Sequence, residues 1–240
     1  MTDTCKTAQA RVSAVTRRPA SVQFRLASLV LACVLPVWIV AGGLLYYAYH
    51  SSRAWTEQRM LETARTLTMV VDRELASIEA SLNALASSPL LDSSDLSAFY
   101  RQAQVVLSAY PGANILLADA SGQELVNTFR PFGMPLPKHG VPNAVREVFA
   151  SGKPVVSNAF AGAITRRLMI SVHVPVFRKG QIVYDLGMNV AADRFSSVLL
   201  QQHLPPEWLG VIVDSNQVIV GRNRLAAQFV GQQMSDHLRL

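Results

Sequence analysis

The 240-residue sequence is poor in the residues that staple small domains or build metal centres. Its two cysteines, Cys5 and Cys33, stand apart from each other and from suitable partners, which excludes a disulfide framework and a cysteine-rich zinc site. The five histidines, His50, His139, His173, His203 and His237, show no ligand spacing, and neither an H-E-x-x-H helix nor a G-x-S-x-G turn occurs. Charged residues are also scarce, 16% against 50% hydrophobic, and this excludes a disordered chain, which cannot bury enough apolar surface to offset its ordering entropy. No metal, cofactor or catalytic residue is expected from this composition, and the chain is not read as an enzyme.

The net charge of +6 suggests a nucleic-acid binder only until its distribution is considered. Lys6, Arg11, Arg17, Arg18 and Arg25, against Asp3, place +4 of it in residues 1–25. No basic face with a recognition helix or an aromatic platform stands out after Arg25, so no nucleic-acid partner is expected.

From Leu26 to Tyr49 the chain runs 24 residues without a charged side chain. As a helix this covers about 36 Å, enough to cross a hydrocarbon layer of about 30 Å. A cleaved signal peptide would carry a shorter apolar region ending in a small-x-small site, whereas this one ends in Tyr46, Tyr47 and Tyr49, residues that favour the headgroup region. The expectation is a single-pass inner-membrane protein with a basic cytoplasmic tail (1–25), a transmembrane helix (26–49) and residues 50–240 in the periplasm or outside the cell.

Residues 51–88 contain neither glycine nor proline, which predicts a long helix over 50–88. Leu61, Ala64, Thr68, Val71, Leu75, Ile78, Leu82 and Leu85 follow steps of three and four along it. Such a stripe fits both a helix covering one side of a globular domain and a helix paired with its twin in a homodimer.

A second helix, Leu96 to Ala109, is expected to stop at Tyr110-Pro111-Gly112. The period then changes to that of strands: 113–119 and 124–128, joined by Ala-Ser-Gly-Gln, read as a hairpin. The stretch Arg130-Pro-Phe-Gly-Met-Pro-Leu-Pro-Lys138 is too rich in proline for a helix or an inner strand. A short helix over 143–151, a strand over 154–158 and two long strands, 168–177 and 181–190, turning at Arg178-Lys179-Gly180, complete an antiparallel sheet. After a helix over 191–203 broken by Pro205-Pro206, a strand, a polar turn and a strand recur near Val211, as they first did near Ile115. The fold class is therefore α+β.

The order of these pieces resembles the double Cache sensor domains of bacterial membrane receptors, whose two PAS-like units are strung along one long helix. The resemblance rests on the hairpin ILLADASGQELVNT, the sheet RRLMISVHVPVFRKGQIVYDLGMNV, the helix DRFSSVLLQQHLPP and the restart EWLGVIVDSNQVIVGRN. It implies a membrane-distal PAS-like unit over 89–207 and an incomplete membrane-proximal unit over 208–240. The wording looks most like sensors fused to histidine kinases; related ones serve chemoreceptors and diguanylate cyclases. No second spanning run, nucleotide-binding motif or GGDEF run follows, so the chain reads as a fragment of a longer receptor or as a truncated product that binds without transmitting.

In PAS-like sensors a small molecule is held against the sheet. Met169, Ser171 and His173 alternate onto one face of their strand, while Tyr184, Leu186 and Met188 oppose Asp185, Gly187 and Asn189 on the next. Register alone would say which set points inward. His173 and Asp185 lie in otherwise apolar strands and need partners in the fold or in a ligand. Arg130, opening the proline-rich loop, suits a carboxylate, although a solvated surface arginine fits equally. The candidate ligand-binding set is thus Arg130, Met169, Ser171, His173, Tyr184, Asp185 and Asn189. The arginine followed by Trp-Tyr that marks the family's amino-acid binders has no counterpart at Arg166-Arg167-Leu168-Met169. The expected function is small-molecule sensing by the input portion of a membrane receptor. The rival of another class is a membrane-anchored assembly protein whose sheet face is packed solid with apolar side chains.

Overall fold

Helix α1 (Val22–Ala86) opens the computed structural model, which describes residues 22–234. The expected basic tail lies outside the described residues up to residue 21, as do residues 235–240. The described residues fall into two units divided between Leu61 and Glu62. In the first, the stretch Leu29–Tyr47 is, among the described residues, the one helical segment long and apolar enough to cross a membrane. Its large side chains, among them Leu31, Trp38 and Leu45, are exposed. Pro36 stands inside it.

In the second unit α1 turns its regular stripe onto a sheet. Ile78 and Leu82 are fully buried, Leu85 nearly so, and Val71 and Leu75 pack beside them, whereas Leu61, Ala64 and Thr68 are exposed. The part from Val71 onward therefore covers one side of a globular domain. The helix stops at Ala86, because Pro89 disfavours helical backbone at Ser88, which is extended. A 3₁₀ turn (Pro89–Leu91) leads to α2 (Leu96–Leu107), capped by Asp95, whose carboxylate accepts the Ala98 N–H at 3.0 Å.

Strands β1 (Asn114–Ala118), β2 (Glu124–Asn127), β3 (Val155–Val156), β4 (Phe160–Ala161), β5 (Leu168–Arg178) and β6 (Gln181–Ala191) form an antiparallel sheet ordered β2-β1-β6-β5-β3, with β4 beside β3 on the free edge of β5. Helix α3 (Pro142–Ser151) precedes β3, and α4 (Asp193–Gln201) follows β6. The β5–β6 turn is tight because Lys179 and Gly180 both take positive φ, 49° and 79°, the backbone a two-residue hairpin of this twist requires. Strand β4 and a short helix α5 (Ala226–Phe229) carry no period that the sequence could reveal, and β3 is shorter than the expected 154–158.

A second sheet pairs β7 (Val211–Val213) with β8 (Ile219–Arg222). The repeat seen in the sequence extends to its turn chemistry. Asp119 accepts the N–H groups of Ser121 and Gln123, and Asp214 those of Asn216 and Val218; Gly122 and Gln217, each three residues past its aspartate, both take positive φ.

The sheet has two unlike faces. Ile115 and Leu117 of β1, Ile170, Val172, Val174 and Val176 of β5, and Leu186, Met188 and Val190 of β6 meet α1 and α2 in one apolar core. Burial of these apolar side chains holds the unit together at roughly 25 cal/mol per Å² of apolar surface removed from water.

Candidate functional site

The alternation that sends Val172 and Val174 into the helix-facing core sends Met169, Ser171 and His173 to the opposite face. Register settles the choice the sequence left open. Ser171 pairs with Asn189, which pairs with Asn114, so one rung across three strands carries three polar side chains. The next rung is His173, Gly187 and Leu116, and the one after holds Asp185 with Ala118 and Pro175. Met169, Ser171, His173, Asp185 and Asn189 are thus brought to one face, and Ser171, His173 and Asp185 have no exposure.

Two expected residues fall elsewhere. Tyr184 pairs with Val176 and packs against the helix-facing core, because β6 has one strict alternation past its bulge and Asp185 occupies the other side. That corrects its place in the expected set. Arg130 lies in the loop after β2, where it donates to the Pro135 carbonyl; its charge reaches Glu124, but it does not line the cleft.

His173 Nδ1 lies 2.8 Å from Asp185 Oδ2. Gly187 makes room for this pair, since a Cβ there would stand 3.0 Å from His173 Nδ1. His139, delivered by the loop between β2 and α3, sets its ring centroid 5.1 Å from that of His173. Its Nδ1 accepts the Val141 N–H at 2.9 Å. Burial, with His173 adding to it, holds the His139 pKa down at about 4 against the pull of Asp185, so this ring is neutral at pH 7.

Glu124, Asn127 and Asn114 form a polar chain at the other end of the face. Asn114 Nδ2 donates to Asn127 Oδ1 at 3.2 Å, and Asn127 Nδ2 donates to Glu124 Oε2 at 2.8 Å. Burial raises the Glu124 pKa, opposed by the Asn127 hydrogen bond and by the Arg130 charge.

A cleft opens over this face, lined by Asn114, Glu124, His139, Phe160, Met169 and Asn189 among others. It is narrow: about 30 Å³ remains free inside, so anything larger than a water or two must widen it to enter. Among its lining residues, Asn114 Oδ1, Asn189 Oδ1 and His139 Nε2 are buried with no hydrogen-bond partner, and so are Ser171 Oγ, His173 Nε2 and Asp185 Oδ1, which share the sheet face but do not line the cleft.

His139, His173 and Asp185 offer ligand atoms within 4.8 Å of one another, a donor set of the kind that holds zinc. Their hydrogen bonds suit it poorly. With Nδ1 accepting from Val141, neutral His139 carries its proton on Nε2 and has no lone pair left there. Facing a carboxylate, His173 donates from Nδ1 to Asp185 Oδ2, which leaves His173 Nε2 and Asp185 Oδ1 as ready ligands, short of the three protein ligands a zinc site takes. The same pair resembles a base held by an orienting acid, but Ser171 Oγ makes no hydrogen bond to His173, so the nucleophile–base contact of covalent catalysis is missing.

Asn114, Glu124, Asn127 and His139 were outside the expected set. Polar ends on the apolar strand runs signalled the first three; nothing local signalled His139, 34 residues from His173.

Neither a protein-family model nor a curated protein matches the sequence. Solved structures do match. The ligand-binding domain of the Pseudomonas fluorescens chemoreceptor CtaA, in complex with L-alanine, aligns with a TM-score of 0.56 and 15% identity over 73% of this chain and 75% of that one. The ligand-binding domain of the Campylobacter jejuni chemoreceptor Tlp3, in complex with L-valine, gives 0.54 and 11% over 72% of each chain. The ligand-binding domain of the Pseudomonas aeruginosa PAO1 amino acid chemoreceptor PctC, in complex with GABA, gives 0.50 and 16% over 72% and 75%. At such identities the likeness is one of architecture: the chain shares its α+β fold with the sensory domains of bacterial chemoreceptors.

Proposed function

We propose that this chain is the input portion of a membrane signal-transduction receptor and that it binds a small molecule outside the cytoplasm. The observation that carries the reading is the row of buried, unpartnered polar atoms on the cleft side of the sheet, from Asn114 through Asn189 to Ser171. An unsatisfied buried polar group costs about 1–3 kcal/mol, so a face kept only for packing would be apolar. This disfavours the assembly-protein alternative, which needs a filled apolar face.

The likeness to chemoreceptor domains supports a chemoreceptor-type input over the histidine-kinase parent expected from the sequence. The spanning-length segment Leu29–Tyr47, preceded by the basic tail, supports insertion in the inner membrane with the amino terminus in the cytoplasm. In this reading residues 89–207 are the membrane-distal unit and 208–240 begin a membrane-proximal one, whose hairpin repeats the Asp-anchored turn. The exposed Leu61, Ala64 and Thr68 leave part of the α1 stripe for a homodimer partner. A ligand would shift such a dimer between two helix arrangements by no more than its differential affinity for them.

The test is a thermal-shift screen of the full chain in lipid nanodiscs against small metabolites. The proposal expects a dose-dependent rise in melting temperature for at least one compound. It fails if no compound in a broad metabolite set produces one, or if a carboxyl-terminal reporter enzyme is active only in the cytosol.

A further inference from the structure

The direction of the amide chain identifies what the cleft lacks. The Phe129 N–H donates to Asn127 Oδ1 at 3.0 Å, and a backbone N–H can only donate, so that atom is oxygen and the Asn127 amide cannot be turned over. Asn127 must then present Nδ2 to Glu124. Asn114 meets the same Oδ1 and must present its own Nδ2, which leaves Asn114 Oδ1 as an unused acceptor in a side chain that is 1% exposed. Asn189, its neighbour on the rung, also buries an unpartnered Oδ1.

The cleft thus offers acceptor oxygens, one carboxylate, Glu124, and one neutral donor, the His139 Nε2–H, while no lysine or arginine lines it. Arg130 moderates Glu124 from outside the lining, and His139, the one basic ring in the wall, is neutral at pH 7. The rings of Phe129 and Phe160 and the side chain of Met169 complete the wall, and aromatic faces attract cations rather than anions. A carboxylate here could accept from the His139 Nε2–H, but it would meet Glu124 and the Asn114 oxygen without a counter-charge, an arrangement that disfavours it. An ammonium would supply both the positive charge and the missing donors.

The geometry points to a small organic cation as the ligand, an amine carrying a short apolar substituent and no carboxylate, with its nitrogen held by Asn114, Asn189 and Glu124 against Phe129 and Phe160. This inference rests on the sensing reading above and sets the chain apart from its structural neighbours, whose bound ligands in those complexes are amino acids.

The test compares molecules that share one hydrocarbon and differ in head group: isobutylamine, L-valine and isovalerate, with methylamine and putrescine widening the amine set. Binding is measured by calorimetry and thermal shift on the full chain in nanodiscs. The expected result is binding of at least one amine, silence from isovalerate, and weaker binding of L-valine than of isobutylamine. Glu124→Gln should lower amine affinity at least about tenfold. Should Glu124→Gln fail to fold, Phe160→Leu replaces it, with an expected loss of about threefold to tenfold for amines. Binding of isovalerate or L-valine without any amine overturns the cation assignment and leaves sensing intact, as does a metabolite hit from the wider screen while all amines stay silent. Silence from every compound in both experiments overturns both.

Discussion

Gly187→Ala tests whether the His173–Asp185 pair is built on the strand in the way the packing indicates. The added methyl would sit 3.0 Å from His173 Nδ1, 3.1 Å from its Cε1 and 3.1 Å from Leu116 Cδ1. Unstrained contacts of this kind lie near 3.5–4.0 Å, so neighbours must retreat by about half an ångström. His173 has little freedom to do so: it is fully buried and its Nδ1 is held by Asp185. Overpacking of this order costs about 1–3 kcal/mol, offset by about 0.5–1 kcal/mol from the reduced chain entropy of alanine relative to glycine. The net expectation is a loss of about 1–2 kcal/mol, or about 2–8 °C in melting temperature for a unit of this size. The assay is thermal unfolding followed by circular dichroism, in the wild-type and His173→Ala backgrounds. With the imidazole gone only the Leu116 contact remains, and that side chain can shift into the vacated space, so the second background should show a much smaller loss and a coupling energy of about 1 kcal/mol. Equal losses in both backgrounds, or a higher melting temperature in the first, would refute the packing argument.

The pH dependence of stability should carry two opposed contributions. His139 has its pKa lowered from 6.5 to about 4, so its contribution is fully present above pH 6.5 and is lost as pH falls toward 4, by about 3 kcal/mol at most. His139→Gln should flatten that part of the melting-temperature profile, and an unchanged profile would show the ring to be solvated. Glu124 has its pKa raised by burial, so its contribution is present below 4.5 and declines as pH rises through the folded-state value; Glu124→Gln should gain on wild type in melts near neutral pH. In the helix, Leu82→Ala removes a fully buried side chain and should cost about 2–5 kcal/mol in denaturant titration, while Leu61→Ala, 59% exposed, should change stability by less than about 0.5 kcal/mol. Similar costs at the two positions would contradict the division of the stripe at Val71.

Much of the fold was legible because its signals are local. The run without glycine or proline through Ser88 foretold the long helix, and Lys179-Gly180 between two alternating apolar runs foretold the β5–β6 hairpin. The site was legible only in part, because sidedness depends on register and register on pairing with distant strands. Tyr184 and Asp185 are adjacent in sequence, and one peptide decides which lies on the cleft side of the sheet. Glu124 and Asn127, three residues apart, would face opposite ways in a regular strand. They share a face because the β1–β2 register shifts between Leu117 and Ala118, and no residue type in ELVN announces that bulge. His139 reaches His173 only after the proline-rich loop has closed over the sheet, a tertiary event without a local signature.

The two-sided character of β5 and β6 has a consequence for how such a domain could change its specificity. Odd-numbered positions from Met169 to His173 and from Asp185 to Asn189 lie on the cleft side of the sheet, with Met169 and Asn189 lining the cleft itself, while the even-numbered positions between them grip α1 and α2. Recognition and scaffold are interleaved residue by residue, yet they are addressed by different codons. Drift at the odd positions can reshape the cleft side while the even positions keep the helices seated, so a new cleft chemistry is reachable by single steps that leave the folded framework standing.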